Sequence, residues 1–276
     1  MAGTKTHVVK KGESLSKIAK KYGWPSGKDL YNAKENADLR KARPDMNKIE
    51  PGDKVIIPEP PVDKSTKLQY RKDMPRMSID IDGKKKLIFV QQKWQYDWKV
   101  KSGCSAWTSA QKKIFHNDCD KAIWAKWSGK YQVACSGTSD FAKAMKGQTF
   151  NVSFDIKYVS SGGHWTVTVT KIPKGSKKTS SVKWGAQTID LDTEDVKKRK
   201  DIDQVPVAHE FGHAVGNSIH GPAGHGDEYH DDGVHFDDKD SMMNVGSELR
   251  KRHADHLIGE LNKMIKDTTF EVKAIK

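Results

Sequence analysis

The chain has 276 residues, 35% hydrophobic and 31% charged, a polar-biased globular composition with room for one large domain or two smaller ones. It offers no run of about 18 apolar residues to span a bilayer, and Met1–His7 lacks the apolar stretch of a secretory signal, so signal-peptide export is not expected. The formal net charge of +13 comes from lysines scattered along the whole chain, which fits attraction to acidic surfaces such as anionic wall polymers and argues against a nucleic-acid partner.

At the N-terminus, His7-Val8-Val9-Lys10 reads as a short strand and Gly12-Glu13-Ser14 as a turn that caps a helix carrying Leu15, Ile18, Ala19 and Tyr22 at helical spacing. A second short helix is expected over residues 28–32. Pro51-Gly52-Asp53 is a turn, and Val55-Ile56-Ile57 a closing strand stopped by Pro58. The expected module, residues 1–58, is therefore βααβ. A polar, proline-containing linker over residues 59–70 follows, and a second domain over residues 71–276.

The opening Val8-Val9-Lys10-Lys11-Gly12-Glu13-Ser14-Leu15, the Ile18-Ala19 helix and the ending Pro51-Gly52-Asp53-Lys54-Val55-Ile56-Ile57-Pro58 resemble the LysM family of carbohydrate-binding modules. The resemblance implies a shallow groove for N-acetylglucosamine-containing glycans, between the loop at Gly12–Leu15 and the loop before the last strand. The longer, charged middle from Tyr31 to Pro44 is similar to LysM variants carried by proteins of bacterial contractile secretion systems. That likeness leaves two expectations open for the module, glycan binding or docking to the delivery machinery without gripping sugar.

In the second domain, Lys86–Val90, Phe150–Ile156 and His164–Thr170 alternate apolar with polar residues, as half-buried strands do, and Gly162-Gly163 is expected to be a hairpin turn. The tryptophans at 94, 98, 107, 124, 127, 165 and 184 are expected in the core rather than on a sugar platform. Cys104, Cys119 and Cys135 lack paired metal-ligand spacing. They form either one disulfide with a thiol left over or three thiols. Lys174–Ser181 reads as an exposed loop and Lys197-Lys198-Arg199-Lys200 as a solvated face.

His209-Glu210-Phe211-Gly212-His213 carries the chemistry. Four-residue spacing on a helix aims both imidazoles at one metal ion, with Glu210 beside them to act on a water. Asp203 is the expected cap of this helix, Pro206 fits its first turn, and Gly216 offers the stop. Zn²⁺ suits two neutral imidazoles and an open position. Candidates for a third ligand crowd the next segment: His220, His225, Asp227, Glu228, His230, Asp231, Asp232 and His235.

His209–His213, a glycine and then Asp227-Glu228-Tyr229 resemble bacterial zincin metallopeptidases, with the acidic pair displaced by residues 217–226. In metzincins the third ligand would fall on Ile219, which cannot bind metal. The resemblance points first to Asp227, then Glu228, then His220. It offers Tyr229 either as an oxyanion donor or as a ring packed beneath the metal loop. Asp240-Ser241-Met242-Met243-Asn244 resembles the metzincin Met-turn, and a last helix is expected over residues 247–266, with His253 and His256 structural and His253 within reach of the site as a supporting donor.

The expected protein is α+β, a LysM-like module joined to a zincin-like peptidase in which Glu210 shuttles a proton from metal-activated water to the leaving amine. The resemblance further implies a toxin or effector of a type VI-like system, made in the cytoplasm, delivered to a competitor's envelope or extracellularly, acting there on protein or peptidoglycan peptide, and matched by an immunity protein. The alternative is a wall hydrolase cutting peptidoglycan cross-links.

Overall fold

The computed structural model describes residues 5–58, 66–221, 226–231 and 233–276. The chain divides into two compact units, Met1–Thr66 and Lys67–Lys276, with a mixture of helices and sheets that makes it α+β.

In the first unit, β1 (Lys5–Val8) pairs antiparallel with β2 (Lys54–Ile57). Between them lie α1 (Leu15–Lys21), α2 (Gly27–Asn32), a 3₁₀ turn at Lys34–Asn36 and α3 (Ala37–Ala42). Ser14 and Ser26 cap α1 and α2 by accepting from the amides of Lys17 and Asp29. Gly27 lets the two helices meet, since a Cβ there would lie 2.7 Å from the Ser16 amide nitrogen. Leu15, Ile18, Leu30, Tyr31, Val55 and Ile57 form the core.

The extra helix α3 corrects the expected βααβ order. Its anchor is Asn36, buried at its start, whose side-chain amide donates to the carbonyls of Leu30 (2.9 Å) and Ile56 (2.8 Å) and whose carbonyl accepts from the Ile56 amide (2.7 Å). These bonds fasten the charged middle segment to β2 and let Leu39 turn inward.

The second unit is a 9-stranded mixed sheet with helices on one face. Its strands are β3 (Gln69–Asp73), β4 (Ser78–Asp82), β5 (Leu87–Val100), β6 (Tyr131–Gly137), β7 (Thr149–Val159), β8 (Trp165–Lys171), β9 (Ser181–Lys183), β10 (Thr188–Asp192) and β11 (Thr268–Ile275), in the order β11-β6-β7-β5-β8-β10-β9, with β4 and β3 adding beside the first half of β5. Strand β3 starts inside the stretch read as linker, most of which, residues 59–65, lies outside the described residues. Ile88, Val90, Gln92 and Trp94 of β5 and Phe150, Val152, Phe154 and Ile156 of β7 point to the buried face.

Gly162-Gly163 is not a hairpin turn. β7 runs parallel to residues 87–95 of β5, and β8 runs parallel to residues 94–100 on its other side, so the link between them crosses over β5. The crossing is close: a Cβ on Gly163 would sit 2.8 Å from that of Gln95, and the amide of the next residue, His164, donates to the Lys93 carbonyl (2.7 Å). A pair of glycines marks a tight approach as readily as a tight turn.

Two elements escape the sequence pattern. Helix α4 (Ser109–Trp127) opens on a capping box made by Thr108 and Gln111, and buries the stripe Phe115, Cys119, Ile123 and Trp127 against the sheet. Strand β11 closes the sheet beside β6. The expected last helix is correspondingly shorter: a 3₁₀ turn at Lys251–Ala254 followed by a helix at Asp255–Leu261. Trp94, Trp127, Trp165 and Trp184 are core, whereas Trp98 and Trp107 are only partly buried and Trp124 is half exposed on α4. All three cysteines are free thiols. Among the described residues no helix is long and apolar enough to cross a membrane.

Candidate functional site

His209 and His213 lie on the helix Pro206–Ala214, which continues as α6 after the short helix α5 (Asp140–Ala144). Pro206 occupies its first turn, where a missing N–H costs nothing. Asp203 is not the cap. The capping position is Val205, and Asp203 instead binds Lys198 (2.6 Å) and the Ser247 hydroxyl (2.8 Å). Gly216, with φ +123°, takes the chain out of the helix.

The helix is held from behind. The Trp127 indole donates to the Ala208 carbonyl (2.9 Å), and Gln92 of β5 donates to the Ala214 carbonyl (2.8 Å). Phe211 packs edge-on against Trp127 and Phe154, with ring centroids 5.7 Å away in each case. A Cβ at Gly212 would collide with the Met243 sulfur, so glycine here lets the Met242-Met243 turn lie directly against the helix.

Both histidine rings are oriented by carbonyls. His209 Nδ1 is 2.7 Å from the Met242 carbonyl oxygen, and His213 Nδ1 is 2.5 Å from that of Asn217. A carbonyl only accepts, so each ring donates from Nδ1 and turns Nε2 the other way. Both Nε2 atoms then meet one oxygen, Asp227 Oδ1, at 3.0 Å each. Among the described residues, His209, His213 and Asp227 are the group that brings three ligand atoms within 4.8 Å of one another. Nε2–H bonds join both rings to Asp227 in the metal-free protein, and without those protons the same three atoms form the two-imidazole, one-carboxylate donor set that zinc takes.

Electrostatics follow the same geometry. Burial pushes the Asp227 carboxyl up, but hydrogen bonds from both imidazoles outweigh it and hold the group well below the usual carboxylate range. For His213, burial works downward and the Asp227 and Glu210 carboxylates overcome it, leaving the ring more basic than usual. Glu210 is buried beside the cluster, and desolvation raises its pKa. Among the described residues no group hydrogen-bonds the Glu210 carboxylate. Tyr229 is 44% exposed and so is not packed beneath the metal loop. Burial and then the Asp227 carboxylate keep its phenol protonated.

Glu228, the neighbour of Asp227, is not part of the cluster. Its carboxylate is buried and bound by Arg252, Ser241 and His253. His253 thus supports Glu228 rather than a ligand histidine, and the His256 ring packs against Trp184 and beneath Gly216. His220 is exposed, and His230, Asp231 and His235 stand outside the three-residue group. His225 and Asp232 lie outside the described residues. Asn217 had no local signature: buried, it orients His213 through its carbonyl while its side chain donates to the carbonyls of Gly212 (2.9 Å) and His253 (3.1 Å). Gln204, also buried and without a local signature, donates from its side-chain amide to the Asn244 carbonyl (2.8 Å) and lies beside His209 Nδ1 (2.9 Å).

Beneath the helix start, the Asp195 carbonyl accepts from the Val207 amide (3.0 Å), and its buried carboxyl is pushed up to about 7, chiefly by desolvation. A group with a folded pKa above its ordinary value of 3.8 favours folding fully below that value, and the benefit is lost as pH rises through about 7. Asp195→Asn keeps an acceptor for the Asp192 amide and removes the ionisation. In the presence of chelator, its melting temperature should exceed that of the parent by a margin that grows from about pH 4 to about pH 7 and then levels off. A margin independent of pH would mean that Asp195 does not titrate in this range.

Residues 7–28 match the LysM domain family. No curated protein and no solved structure matches the chain.

Proposed function

We propose that the second unit is a zincin-like, zinc-dependent peptidase. The observation that carries this reading is the convergence of His209 Nε2, His213 Nε2 and Asp227 Oδ1 beside the buried carboxylate of Glu210. Zinc held there supplies Lewis acidity that polarises a scissile carbonyl and lowers the pKa of water.

The protein's own groups do the rest. Glu210, one helical position from His209 and without a hydrogen-bond partner among the described residues, takes the proton of the attacking water and delivers it to the leaving nitrogen. Tyr229, half exposed, with its phenol beside Asp227 and kept protonated, donates to the oxygen on which negative charge develops. The side chains of Met242 and Met243, fully buried, exclude water from below the ligands.

The LysM match favours a second reading within the same chemistry, in which the bond cut is a peptide cross-link of peptidoglycan and the first unit binds the wall glycan. Delivery by a contractile secretion apparatus to a competitor's envelope, with an immunity protein in the producer, is supported by the likeness of the 31–44 segment to secretion-associated LysM variants.

The purified chain should bind one zinc, lose casein hydrolysis to a chelator and regain it with zinc. His213→Ala should bind none. Muropeptide release from purified sacculi without casein cleavage would move the assignment to the wall hydrolase. Zinc binding with neither activity would leave the metal structural and sink the peptidase reading.

A further inference from the structure

Asp227 reaches the two histidines from a loop, and among the described residues no backbone hydrogen bond fixes Asp227 itself. The next residue carries the fixings. The Glu228 amide donates to the Met243 carbonyl (2.8 Å), and its own carbonyl accepts from the Asn244 side chain (2.8 Å). Its carboxylate, 3% exposed, takes two parallel bonds from Arg252 (2.7 and 2.8 Å) and one from the Ser241 hydroxyl (2.5 Å), with His253 Nε2 at 3.4 Å. Arg252 is held in turn by Asp238 (2.7 Å), which also binds Arg250 (2.6 Å). The charges alternate in sign from the interior outward, so each buried charge has a partner.

The segment gripped is the one that orients the other side of the cluster, because Met242, whose carbonyl fixes His209, lies between Ser241 and Met243. We infer that Glu228 is the positioning residue of the metal site: its clamp on Ser241, Met243 and Arg252 sets the distance between Asp227 and His209 and thereby the affinity for a divalent cation. The inference rests on the metal reading above. Adjacent carboxylates divide the work, Asp227 facing the cation and Glu228 holding the loop.

The test is zinc affinity of the full chain, measured by competition with a chromophoric chelator, alongside urea unfolding of the metal-free protein. Glu228→Gln keeps the shape and removes the charge that Arg252 grips, and zinc affinity should fall by roughly 10- to 100-fold, as when supporting partners of metal ligands are lost. Ser241→Ala leaves the Arg252 pair on Glu228 in place and removes the hydroxyl that bonds the Glu228 carboxylate, together with its longer contacts to the Met243 amide (3.3 Å) and His253 Nε2 (3.2 Å); it should weaken zinc several-fold with the fold intact, which decides the matter if Glu228→Gln does not fold. Glu248→Gln, at the exposed end of the same ion-pair chain, should bind zinc as the parent does. A clamp that serves only the fold would lower the unfolding midpoint and leave the zinc affinity of the folded protein unchanged, and that result overturns the inference. A parent chain that takes no zinc overturns the metal reading and the clamp with it, so the two failures are distinguishable.

Discussion

Glu210→Gln is expected to lower peptide-bond hydrolysis by roughly 100- to 10,000-fold, the usual worth of a positioned general base and acid, while zinc affinity stays within a few-fold of the parent. The two effects separate because Glu210 lies outside the ligand group of His209, His213 and Asp227. A ligand substitution such as His209→Ala would lose metal and activity together and would not distinguish the roles. The amide keeps the volume of the side chain but cannot accept a proton at neutral pH. A third readout bears on the same residue: desolvation raises the pKa of Glu210, so the metal-free protein carries a buried carboxylate that opposes folding, and Glu210→Gln should melt higher than the parent without zinc. Parent-level turnover in Glu210→Gln at full zinc occupancy would remove Glu210 from the mechanism, and another base would have to be sought.

The shared helix face of the two histidines, with Glu210 beside them, is legible because the spacing that sets it is local. Residues four apart on one short helix share a face, whatever the rest of the chain does. Asp227 and Glu228 show where that advantage ends. They are adjacent in sequence and chemically alike, and only long-range contacts with Ser241 and Arg252 decide that Glu228 turns away while Asp227 meets the histidines. Helix α4 escaped because its buried face is a single residue per turn, Phe115, Cys119, Ile123 and Trp127, among lysines and aspartates. Strand β11 escaped for a related reason: of its eight residues only Thr268 and Phe270 are buried. The LysM ends were readable from turns and β-branched runs, whereas α3 depended on Asn36 bonding to a strand 20 residues away.

Trp127→Ala is expected to give the largest loss of stability of any single change considered. The side chain is fully buried, packs against Phe154 and Phe211, and donates its indole hydrogen to the Ala208 carbonyl. Truncating a buried aromatic to alanine costs about 3–5 kcal/mol, because the neighbours close only part of the cavity. Here they have little freedom to close it, since Phe211 sits on α6 and Phe154 in the middle of the sheet. Trp127→Phe keeps much of the ring and loses the hydrogen bond, for a smaller cost of roughly 1 kcal/mol from that bond plus the unfilled volume. Urea unfolding should therefore rank parent, Phe and Ala in that order. Zinc should restore part of the lost midpoint in both variants, because a ligand that binds only the folded state adds stability in proportion to the logarithm of its concentration. The alanine variant should recover less at a given zinc concentration if α4 also holds His209 and His213 in register, since loosening the backing of α6 degrades the ligand geometry. Equal zinc-dependent gains in parent and Trp127→Ala would show that the Met242 and Asn217 carbonyls orient the histidines without help from α4.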